Sequence, residues 1–331
     1  MITLGIECTA HTLSIGISKD DEILSNVIDT YSGGGEGLIP RKLADHHVAV
    51  FSKVLQQSLD KAKIKIQDVD LIAFSQGPGI GAPLSVGISG AKFLASYYNK
   101  EIIGVNHPYA HVEIGKHCAR MKDPLVVYLS GGNSQLLVRQ DGFYHILGET
   151  LDVGIGNLFD SFARSIKLEP AHGGALAKLA EGGKYIELPY TVKGMNLVFS
   201  GLQTAAEKAA EKHDKKDVAY SLMETAFAMT CEVAERALFL TKKKEVLVCG
   251  GVAQNKRLQQ MLKTMCDEDD VAFGVAPDEY NRDNGAMIAF AGWLQYNKYG
   301  PMKLEECIPV TNYRIDKMEK IIRQIVHKKN T

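Results

Sequence analysis

Two histidines, His107 and His111, stand four residues apart directly after an apolar run that ends at Asn106. If a helix begins here, with Asn106 as its cap and Pro108 in its first turn, both imidazoles project from one face. Two imidazoles at this spacing supply half of a divalent metal site. Because the start of an amphipathic helix also tolerates a structural histidine pair, the metal interpretation requires a third ligand.

The candidate for this third ligand is Asp283, in the stretch NRDNGAMIAF. Its place at the head of a predicted helix is also typical of a helix cap or a first-turn acid. Nitrogen and oxygen ligands together suit iron or zinc, and the sequence does not separate the two metals. Position 108 is proline, whereas the peptidase motif H-E-x-x-H needs a glutamate there as general base, so the sequence argues against peptide hydrolysis.

Four glycine-rich turns form the second kind of candidate site, and each follows a predicted strand. They are GIECTAHT (5–12), SQGPGIGAP (75–83), LSGGNSQ (129–135) and VCGGVAQN (248–255). Glycine lets the backbone approach an anion closely, and consecutive amide groups in such turns can bind phosphate. One such turn could simply join two packed elements, but four at matching places favour a nucleotide site. The chain carries neither a Walker motif nor a dinucleotide fingerprint.

The elements that must position these residues follow two similar series along the chain. The first third reads as three strands, a helix, a strand, a helix, a strand and the helix of the histidine pair. From Pro124 the series restarts, is interrupted by a mostly helical insertion, and ends with a helix at 283–297. The repeated order predicts an α/β protein of two tandem lobes of the actin, sugar kinase and Hsp70 type, with an interlobe cleft.

The domain boundaries follow from the same pattern. We expect lobe one at residues 1–120 and lobe two at residues 121–298, with the helical insertion at about 151–213. Residues 299–331 are expected to form a C-terminal segment that returns to lobe one or leads to a fused domain. Its end has the pattern of an amphipathic helix followed by basic residues. A chain of 331 residues exceeds what one hydrophobic core usually supports.

The composition is that of an ordinary globular protein, with 45% hydrophobic and 23% charged residues. No apolar run is long enough to span a bilayer and the first residues lack a signal-peptide pattern, so we expect a cytoplasmic protein without membrane contact. A net charge of −1 provides no field that would gather nucleic acid, so any RNA contact must be local or supplied by a partner. The six cysteines include no C-x-x-C pair and are expected to be reduced.

Nine motifs in chain order carry a resemblance to a known family. They are GIECTAHT, PRKLADHH, GPGIGAP, NHPYAH, LSGGNSQ, GIGNLFDSFAR, FSGLQTA, CGGVAQN and NRDNGAMIA. The set is similar to that of the TsaD/Kae family, most of all its archaeal and eukaryotic branch, whose members work in the KEOPS complex. The resemblance implies transfer of threonylcarbamoyl to N6 of the adenosine beside the anticodon of ANN-decoding tRNAs.

The resemblance also implies roles for individual residues. One iron or zinc ion would be held by His107, His111 and Asp283, which act in catalysis through the metal, and Tyr128 would approach the same ion. The implied nucleotide is threonylcarbamoyl-adenylate or ATP. The implied nucleotide and substrate contacts are Thr9, His11, Thr12, Tyr128, Ser130, Gly131, Gly132, Asn133, Asp160, Gly173, Gly251 and Asn255. The implied partners are tRNA, an atypical kinase, a small dimerising subunit and a kinase-binding subunit.

Three departures from the family pattern weaken the prediction of nucleotide binding. Leu176 stands where relatives often have an acid expected to touch the ribose, Ser85 where arginine is common, and Asn196 where aspartate is common. They keep open a nucleotide-binding ATPase or scaffold subunit without acyl transfer. A small-molecule kinase on the same fold would need a catalytic aspartate near its acceptor in place of the histidine pair.

Three more histidines lie near these motifs. His46 and His47 fall in the helix predicted from Arg41 to about Ala62 and are expected to pack or to cap, although the resemblance puts this segment near the substrate. His11 lies in the first glycine-rich turn. There it could either meet a phosphate or carbonyl group of the substrate or serve only the turn.

Overall fold

The structure is a computed structural model that describes residues 1–33 and 38–327, with side chains described as far as residue 322. Residues 328–331, the basic end of the predicted C-terminal helix, lie outside the described residues. The chain forms two compact units. Unit 1 comprises Met1–Ile114 and Arg282–Thr331, and unit 2 comprises Gly115–Asn281.

Unit 1 is built on a five-stranded mixed sheet in the order β3-β2-β1-β4-β5. The strands are β1 (Ile2–Glu7), β2 (Thr12–Lys19), β3 (Glu22–Thr30), β4 (Leu71–Gly77) and β5 (Glu101–Asn106). Strands β1, β4 and β5 are parallel to one another, so their carboxyl ends share one edge of the sheet. Central strands such as β4 read as continuous apolar runs because they are buried along their whole length.

Within the described residues, five helices lie wholly or partly in unit 1. They are α1 (Pro40–Ala62), α2 (Gly81–Tyr98), α3 (His107–Ala119), α10 (Gly285–Tyr299) and α11 (Met318–His327), of which α3 begins in unit 1. Helix α10 packs against β1 and β2 at very short range. A Cβ atom added to Gly5 would lie 2.2 Å from the backbone nitrogen of Ala289, and one added to Gly16 would lie 2.2 Å from that of Ala286. Only glycine at these two positions lets the helix lie directly on the sheet.

The helix predicted at 283–297 was expected to belong to lobe two (residues 121–298). The structure places this helix, α10, in unit 1. The reason is the close packing of α10 on β1 and β2, which joins residues far apart in the sequence. A periodic pattern shows that a helix is present but not which sheet receives it. The described part of the C-terminal segment, residues 299–327, belongs to unit 1 as well.

The segment between α10 and α11 lies along the carboxyl ends of β4 and β5. The Val310 N–H donates to the carbonyl of Gln76 at 2.9 Å, at the end of β4. The Asn106 amide donates from Nδ2 to the carbonyl of Tyr313 at 2.8 Å, at the end of β5. This segment therefore helps to fix the point at which β5 passes into α3.

Unit 2 contains a second five-stranded sheet, in the order β12-β11-β6-β7-β8. Its strands are β6 (Leu125–Leu129), β7 (Ser134–Gln140), β8 (Phe143–Glu149), β11 (Glu245–Cys249) and β12 (Ala272–Val275). Three antiparallel strands adjoin parallel ones, which is the arrangement of unit 1. The predicted duplication of one α/β topology is confirmed.

The remaining elements of unit 2 include the predicted helical insertion. The helices are α4 (Ile155–Ser165), α5 (Gly173–Ala180), α6 (Ser200–Ala209), α7 (Lys215–Thr241), α8 (Lys256–Glu268) and α9 (Asp278–Asn281), and a small sheet pairs β9 (Val192–Lys193) with β10 (Asn196–Leu197). Helix α7 contributes many buried residues to the core of unit 2. Unit 1 has a hydrophobic core of its own. Among the described helices, none has the length and hydropathy that a bilayer crossing requires.

Candidate metal centre

Helix α3 begins directly at the carboxyl end of β5. The side chain of Asn106 caps it, since its Oδ1 accepts a hydrogen bond from the N–H of Tyr109 at 3.0 Å. His107 and His111 therefore lie on one face of the helix, with their Nε2 atoms 3.2 Å apart. Both side chains are almost fully buried. The predicted cap and the predicted helix are confirmed.

Asp283 reaches the same place from the start of α10. The cap of this helix is the neighbouring Asn284, whose Oδ1 accepts from the N–H of Met287 at 2.9 Å. The N–H of Gly285 donates to the hydroxyl of Ser14 at 2.8 Å and holds the helix start against β2. Because Asn284 serves as the cap, the carboxylate of Asp283 is directed to the histidine pair.

The three side chains fit a single divalent ion. Asp283 Oδ1 lies 3.2 Å from His111 Nε2 and 3.4 Å from His107 Nε2, and the two Nε2 atoms are 3.2 Å apart. Metal–ligand bonds of about 2.1 Å separate neighbouring ligand atoms by roughly 3.0 Å in an octahedral site and roughly 3.4 Å in a tetrahedral one. The three observed separations fall within this range. We call these three residues the metal cluster.

Glu7 supports the metal cluster and was not singled out by the sequence analysis. It is fully buried at the end of β1, with Oε2 2.9 Å from His107 Nδ1. Its other oxygen accepts hydrogen bonds from the N–H and the hydroxyl of Thr9. A carboxylate behind a ligating imidazole fixes its tautomer and its orientation. The signal was present in the sequence as an acid that closes the apolar strand ITLGIE.

The electrostatics of this cluster favour positive charge at His107. Burial by itself would lower the pKa of His107, but the carboxylates of Glu7 and Asp283 outweigh burial and raise this pKa to about 10. Burial lowers the pKa of His111. Burial would raise the pKa of Asp283, but the charge of His107 holds it well below its usual range.

The first predicted glycine-rich stretch (5–12) contains the turn between β1 and β2 at residues 8–11, which brings one predicted binding residue to the metal cluster. Thr9 Oγ1 lies 3.5 Å from His107 Nδ1, and its hydroxyl donates to Glu7, so Thr9 supports the metal cluster. Its predicted contact with the nucleotide stays a prediction. His11 and Thr12 follow on the same stretch, and Thr12 is buried at the start of β2. Their contacts with a nucleotide stay predictions.

In the turn after β6, some backbone groups form hydrogen bonds within the turn itself. The N–H of Ser130 donates to the carbonyl of Asn133 at 2.8 Å, and the N–H of Asn133 donates to Ser130 Oγ at 3.0 Å. A Cβ atom on Gly154 would lie 2.4 Å from the carbonyl oxygen of Gly131, so the start of α4 packs tightly against this turn. The Asn133 N–H is thus already paired, which leaves Gly131 and Gly132, both exposed, as the tip of the turn.

Two other predicted binding residues of unit 2 accept hydrogen bonds from N–H groups at the beginnings of helices. Asp160 Oδ1 accepts from the N–H of Gly173 at 2.8 Å and so links α4 to α5. Asn255 caps α8 by accepting from the N–H groups of Arg257 and Leu258 at 3.0 and 3.1 Å. The structure brings Asp160 and Gly173 together. Binding of a ribose by these residues stays a prediction.

The last predicted residues flank the ends of β6 and β11. Tyr128 is fully buried in β6, where it lies beside Cys249 of the neighbouring parallel strand β11. Gly250 has a φ of +94°, which favours glycine, and a Cβ atom there would lie 2.4 Å from the carbonyl oxygen of Leu129. Gly251 follows with open space around its Cβ position. Because Tyr128 belongs to unit 2 and the metal cluster to unit 1, metal ligation by Tyr128 stays a prediction.

The family model described as "TsaD: tRNA N6-adenosine threonylcarbamoyltransferase" matches residues 22–290. The chain belongs to the TsaD family. The predicted class of enzyme, an acyltransferase, is therefore confirmed.

Curated members of the TsaD family resemble the chain along nearly its full length. A tRNA N6-adenosine threonylcarbamoyltransferase of Thermococcus sibiricus is 50% identical over 322 residues, which covers 96% of this chain and 99% of the relative. A probable bifunctional tRNA threonylcarbamoyladenosine biosynthesis protein of Thermoplasma volcanium is 44% identical, covering 96% of this chain and 61% of the relative. The second relative therefore contains a large region that this chain does not match.

Solved structures with this fold come from proteins of distant sequence. Thermococcus kodakarensis HypF matches with a TM-score of 0.60 at 16% identity, over 90% of this chain and 48% of that one. Component A of the Acidaminococcus fermentans (R)-2-hydroxyglutaryl-CoA dehydratase matches with a TM-score of 0.55 at 14% identity, over 90% and 99%. Identities this low show the fold alone. These two matches confirm the predicted fold class of this TsaD-family chain, an α/β protein built from two similar units.

The three residues that depart from the TsaD pattern lie at three different places in the structure. Leu176 is fully buried in the core of unit 2, so an acid at this point would lack water. Ser85 is exposed on α2 and donates to the carbonyl of Gly81 at 2.8 Å. Asn196 Oδ1 accepts from the N–H of Glu149 at 3.0 Å and joins β10 to β8. None of the three belongs to the metal cluster.

Proposed function

We propose that this chain transfers the threonylcarbamoyl group from threonylcarbamoyl-adenylate to N6 of the adenosine adjacent to the anticodon in ANN-decoding tRNA. The observation that carries this proposal is the buried metal cluster of unit 1 in a TsaD-family chain. The names of the relatives from T. sibiricus and T. volcanium support tRNA as the substrate. We also propose that the reaction takes place in the cytoplasm.

The metal cluster is proposed to hold one iron or zinc ion, with Tyr128 as a further ligand. When bound, the ion would act as a Lewis acid toward oxygen atoms of the donor. Glu7 lies 2.9 Å from His107 Nδ1 and so directs the Nε2 atom of this ring toward His111 and Asp283. The three ligand atoms are thereby arranged in advance.

The N6 amine of adenosine is a weak nucleophile, so the proposed catalysis depends on orientation and on stabilising the charge that develops on the acyl oxygen. The glycine turns of unit 2 are proposed to bind the adenylate. Open space around the Cβ positions of Gly132 and Gly251 supports this role, since a phosphate or ribose can approach the backbone there. Asp160 is proposed to contact a ribose hydroxyl.

We place the reaction in a multisubunit complex of the KEOPS type, with an atypical kinase, a small dimerising subunit and a kinase-binding subunit. Helices α1 and α2 expose apolar side chains that support docking of a protein partner, namely Val48 at 64%, Phe93 at 63% and Tyr97 at 69%. The rings of Phe93 and Tyr97 stack with their centroids 5.6 Å apart. The net charge of −1 supports a share of tRNA binding by the partners.

The proposal is tested by metal analysis of the purified protein together with tRNA modification, with and without the partner subunits. The wild-type protein is expected to bind one ion and to modify tRNA in the complex, and the His107→Ala, His111→Ala double variant is expected to lose both. The matched control is His117→Ala, an exposed histidine on the same helix, which is expected to keep both.

Three outcomes would contradict parts of this proposal. Retention of the ion by the double variant would show that the metal cluster is not the metal site. Normal tRNA modification after loss of the ion would exclude the catalytic role of the cluster. A wild-type protein that hydrolyses ATP but leaves tRNA unmodified in the complete complex would favour the ATPase or scaffold function.

A further inference from the structure

Residues 302–313, between α10 and α11, cross the carboxyl ends of β4 and β5, and we call them the crossing segment. Its backbone is held directly by the end of β4. The buried side chain of Gln76 donates from Nε2 to the carbonyl of Ile308 at 3.2 Å, and the Gln76 carbonyl accepts from the N–H of Val310 at 2.9 Å. A Cβ atom on Gly77 would collide with the carbonyl oxygen of Val310. The crossing segment and the end of β4 are therefore in backbone contact.

One connection leads from the crossing segment to the helix of the metal cluster. The side chain of Asn106 is fully buried and directly precedes His107. Its Nδ2 donates to the carbonyl of Tyr313 at 2.8 Å, and its Oδ1 accepts from the N–H of Tyr109 at 3.0 Å. One amide group thus joins the crossing segment to the first turn of α3. The crossing segment therefore holds the residue that caps the helix of both imidazoles.

A second connection leads to the metal cluster through Glu7. The carbonyl of Thr311 accepts from the N–H of Gly79 at 3.3 Å, and the next N–H, that of Ile80, donates to the carbonyl of Thr9 at 2.8 Å. A Cβ atom on Gly79 would lie 2.6 Å from the same carbonyl oxygen of Thr9, so the two backbones pack closely. Thr9 donates from its N–H and its hydroxyl to Glu7, the carboxylate that supports the metal cluster. Both connections therefore end at the same buried group.

The start of α11, which follows the crossing segment, is fixed by a buried carboxylate. Glu319 is only 5% exposed, and its Oε1 lies 2.7 Å from Lys298 Nζ. Its Oε2 accepts from the hydroxyl of Tyr299. Both partners lie in the last turn of α10. A buried carboxylate without such partners is costly, so this contact holds α11, and with it the end of the crossing segment, against α10.

We propose that the crossing segment positions the metal cluster, so that the affinity for an ion depends on the attachment of this segment and of α11. This inference rests on the proposed function, in which the metal cluster holds an ion. Asn106 and Glu319 are positioning residues, since they act through other groups. By reciprocity, an ion in the cluster must stabilise the crossing segment against local opening. A segment that only covered the core of unit 1 would leave the ion affinity unchanged.

The first experiment compares Asn106→Ser with Asn106→Ala. Serine keeps a cap for α3 but is too short to reach the carbonyl of Tyr313, whereas alanine removes both hydrogen bonds. The affinity for zinc is measured by competition with a chelator. We expect about a tenfold loss in the serine variant and a larger loss in the alanine variant. Asn312→Ser, at an exposed position of the crossing segment, is the control and is expected to keep the wild-type affinity.

The second experiment changes the attachment of α11, which is distant in the sequence from every residue of the metal cluster. Glu319→Gln keeps the shape of the side chain and removes the charge that pairs with Lys298. We expect a loss of zinc affinity by a few-fold, because the end of the crossing segment is held less firmly. Lys320→Gln, an exposed neighbour on the same helix, is the control and is expected to bind zinc as the wild type does.

The third experiment uses the wild-type protein. Hydrogen exchange of backbone amides is measured with and without zinc. Zinc is expected to slow exchange at Val310, whose N–H joins the crossing segment to β4, and to leave the amides of α8 in unit 2 unchanged.

Three outcomes would overturn this inference: unchanged zinc affinity in Asn106→Ser, unchanged zinc affinity in Glu319→Gln, or exchange at Val310 that zinc does not slow. A wild-type protein that binds no zinc or iron would overturn the metal site of the proposed function instead. In that case nitrogen-15 resonances of the His107 ring in the metal-free protein decide. A displacement by Glu319→Gln and not by Lys320→Gln supports the positioning role, and unchanged resonances overturn it.

Discussion

The residues at the carboxyl ends of the two sheets use their polar atoms in different ways. In unit 1, Glu7 and the metal cluster contact one another through side-chain atoms in a buried group. In unit 2, Ser130, Asp160 and Asn255 pair with backbone groups of their own turns and helix starts. Since both sheets have the same strand arrangement, the difference lies in the side chains.

This contrast has an energetic cause. Two carboxylates and two imidazoles brought together away from water are costly unless positive charge is bound among them. Such a group is typical of a metal site. Neutral caps and glycine turns carry no such cost, and they leave backbone amides at the surface for a ligand. The candidate site of unit 1 therefore depends on charged side chains, and that of unit 2 depends on backbone geometry. Four substitutions test this difference.

The largest expected effect is that of Leu176→Glu in unit 2. The change introduces the acid that the family resemblance leads us to expect at this position, but the side chain of Leu176 is fully buried in the core. We expect the free energy of unfolding to fall by about 4 kcal/mol, because a buried carboxyl must either lose hydration or become protonated. Urea denaturation measures this, and Leu176→Met is the control. Near-normal stability together with tighter AMP binding would show instead that position 176 faces a ligand.

The second effect is that of Gly16→Ala in unit 1. The added methyl group would lie 2.2 Å from the backbone of α10, so this helix must move away from the sheet. We expect a loss of about 3 kcal/mol in the free energy of unfolding, and weaker metal binding because Asp283 moves with the helix. Gly201→Ala, where no heavy atom lies within 4 Å of the Cβ position, is the control. Unchanged metal affinity would separate the placement of α10 from the metal cluster.

The third effect is that of Glu7→Gln, which keeps the shape of the side chain and removes its charge. We expect metal affinity to fall by about 10- to 100-fold, because the support behind His107 is weakened. Competition with a chelator of known affinity measures the change. Glu101→Gln, at the exposed start of β5, is the control. An unaltered affinity would mean that Glu7 serves only to hold Thr9.

The smallest expected effect concerns Asp152 of unit 2, which accepts hydrogen bonds from the backbone of Phe199 and Ser200 at the start of α6. Burial acts to raise the pKa of Asp152, but these hydrogen bonds outweigh it and lower the pKa to about 2. Since the folded pKa is depressed, the stabilisation is complete above the unfolded pKa of about 4. It is lost as the pH falls toward about 2.

Asp152→Ala is therefore expected to cost about 1 kcal/mol at pH 7, which is comparable to the loss of a capping side chain, because two N–H groups at the start of α6 lose their acceptor. The difference from the wild type is expected to shrink below about pH 4. Urea midpoints measured from pH 3 to pH 7 provide the comparison. The control is Asp21→Ala, in the exposed β2–β3 turn. A difference that does not depend on pH would show that the side chain acts through packing alone.

The sequence predicted the elements well because their patterns are local. The helix expected from Arg41 to about Ala62 is observed as Pro40–Ala62, and the i, i+4 spacing of the histidine pair placed both rings on one face. Glu7 was missed because its partner His107 is distant in the sequence. Asp283 was assigned to the wrong unit for a similar reason. Only the packing of α10 on β1 shows that this helix belongs to unit 1.

Unit 1 is formed from both ends of the chain, so its two parts are synthesised at different times. The ribosome completes β1, β5 and both imidazoles first, and then the whole of unit 2, before it adds Asp283 and the segment that holds Asn106. The nascent chain therefore carries two ligands without their carboxylate for most of its synthesis. The complete set of three side chains exists only after residues 282–313 are translated, so the proposed metal site would be completed late in biogenesis.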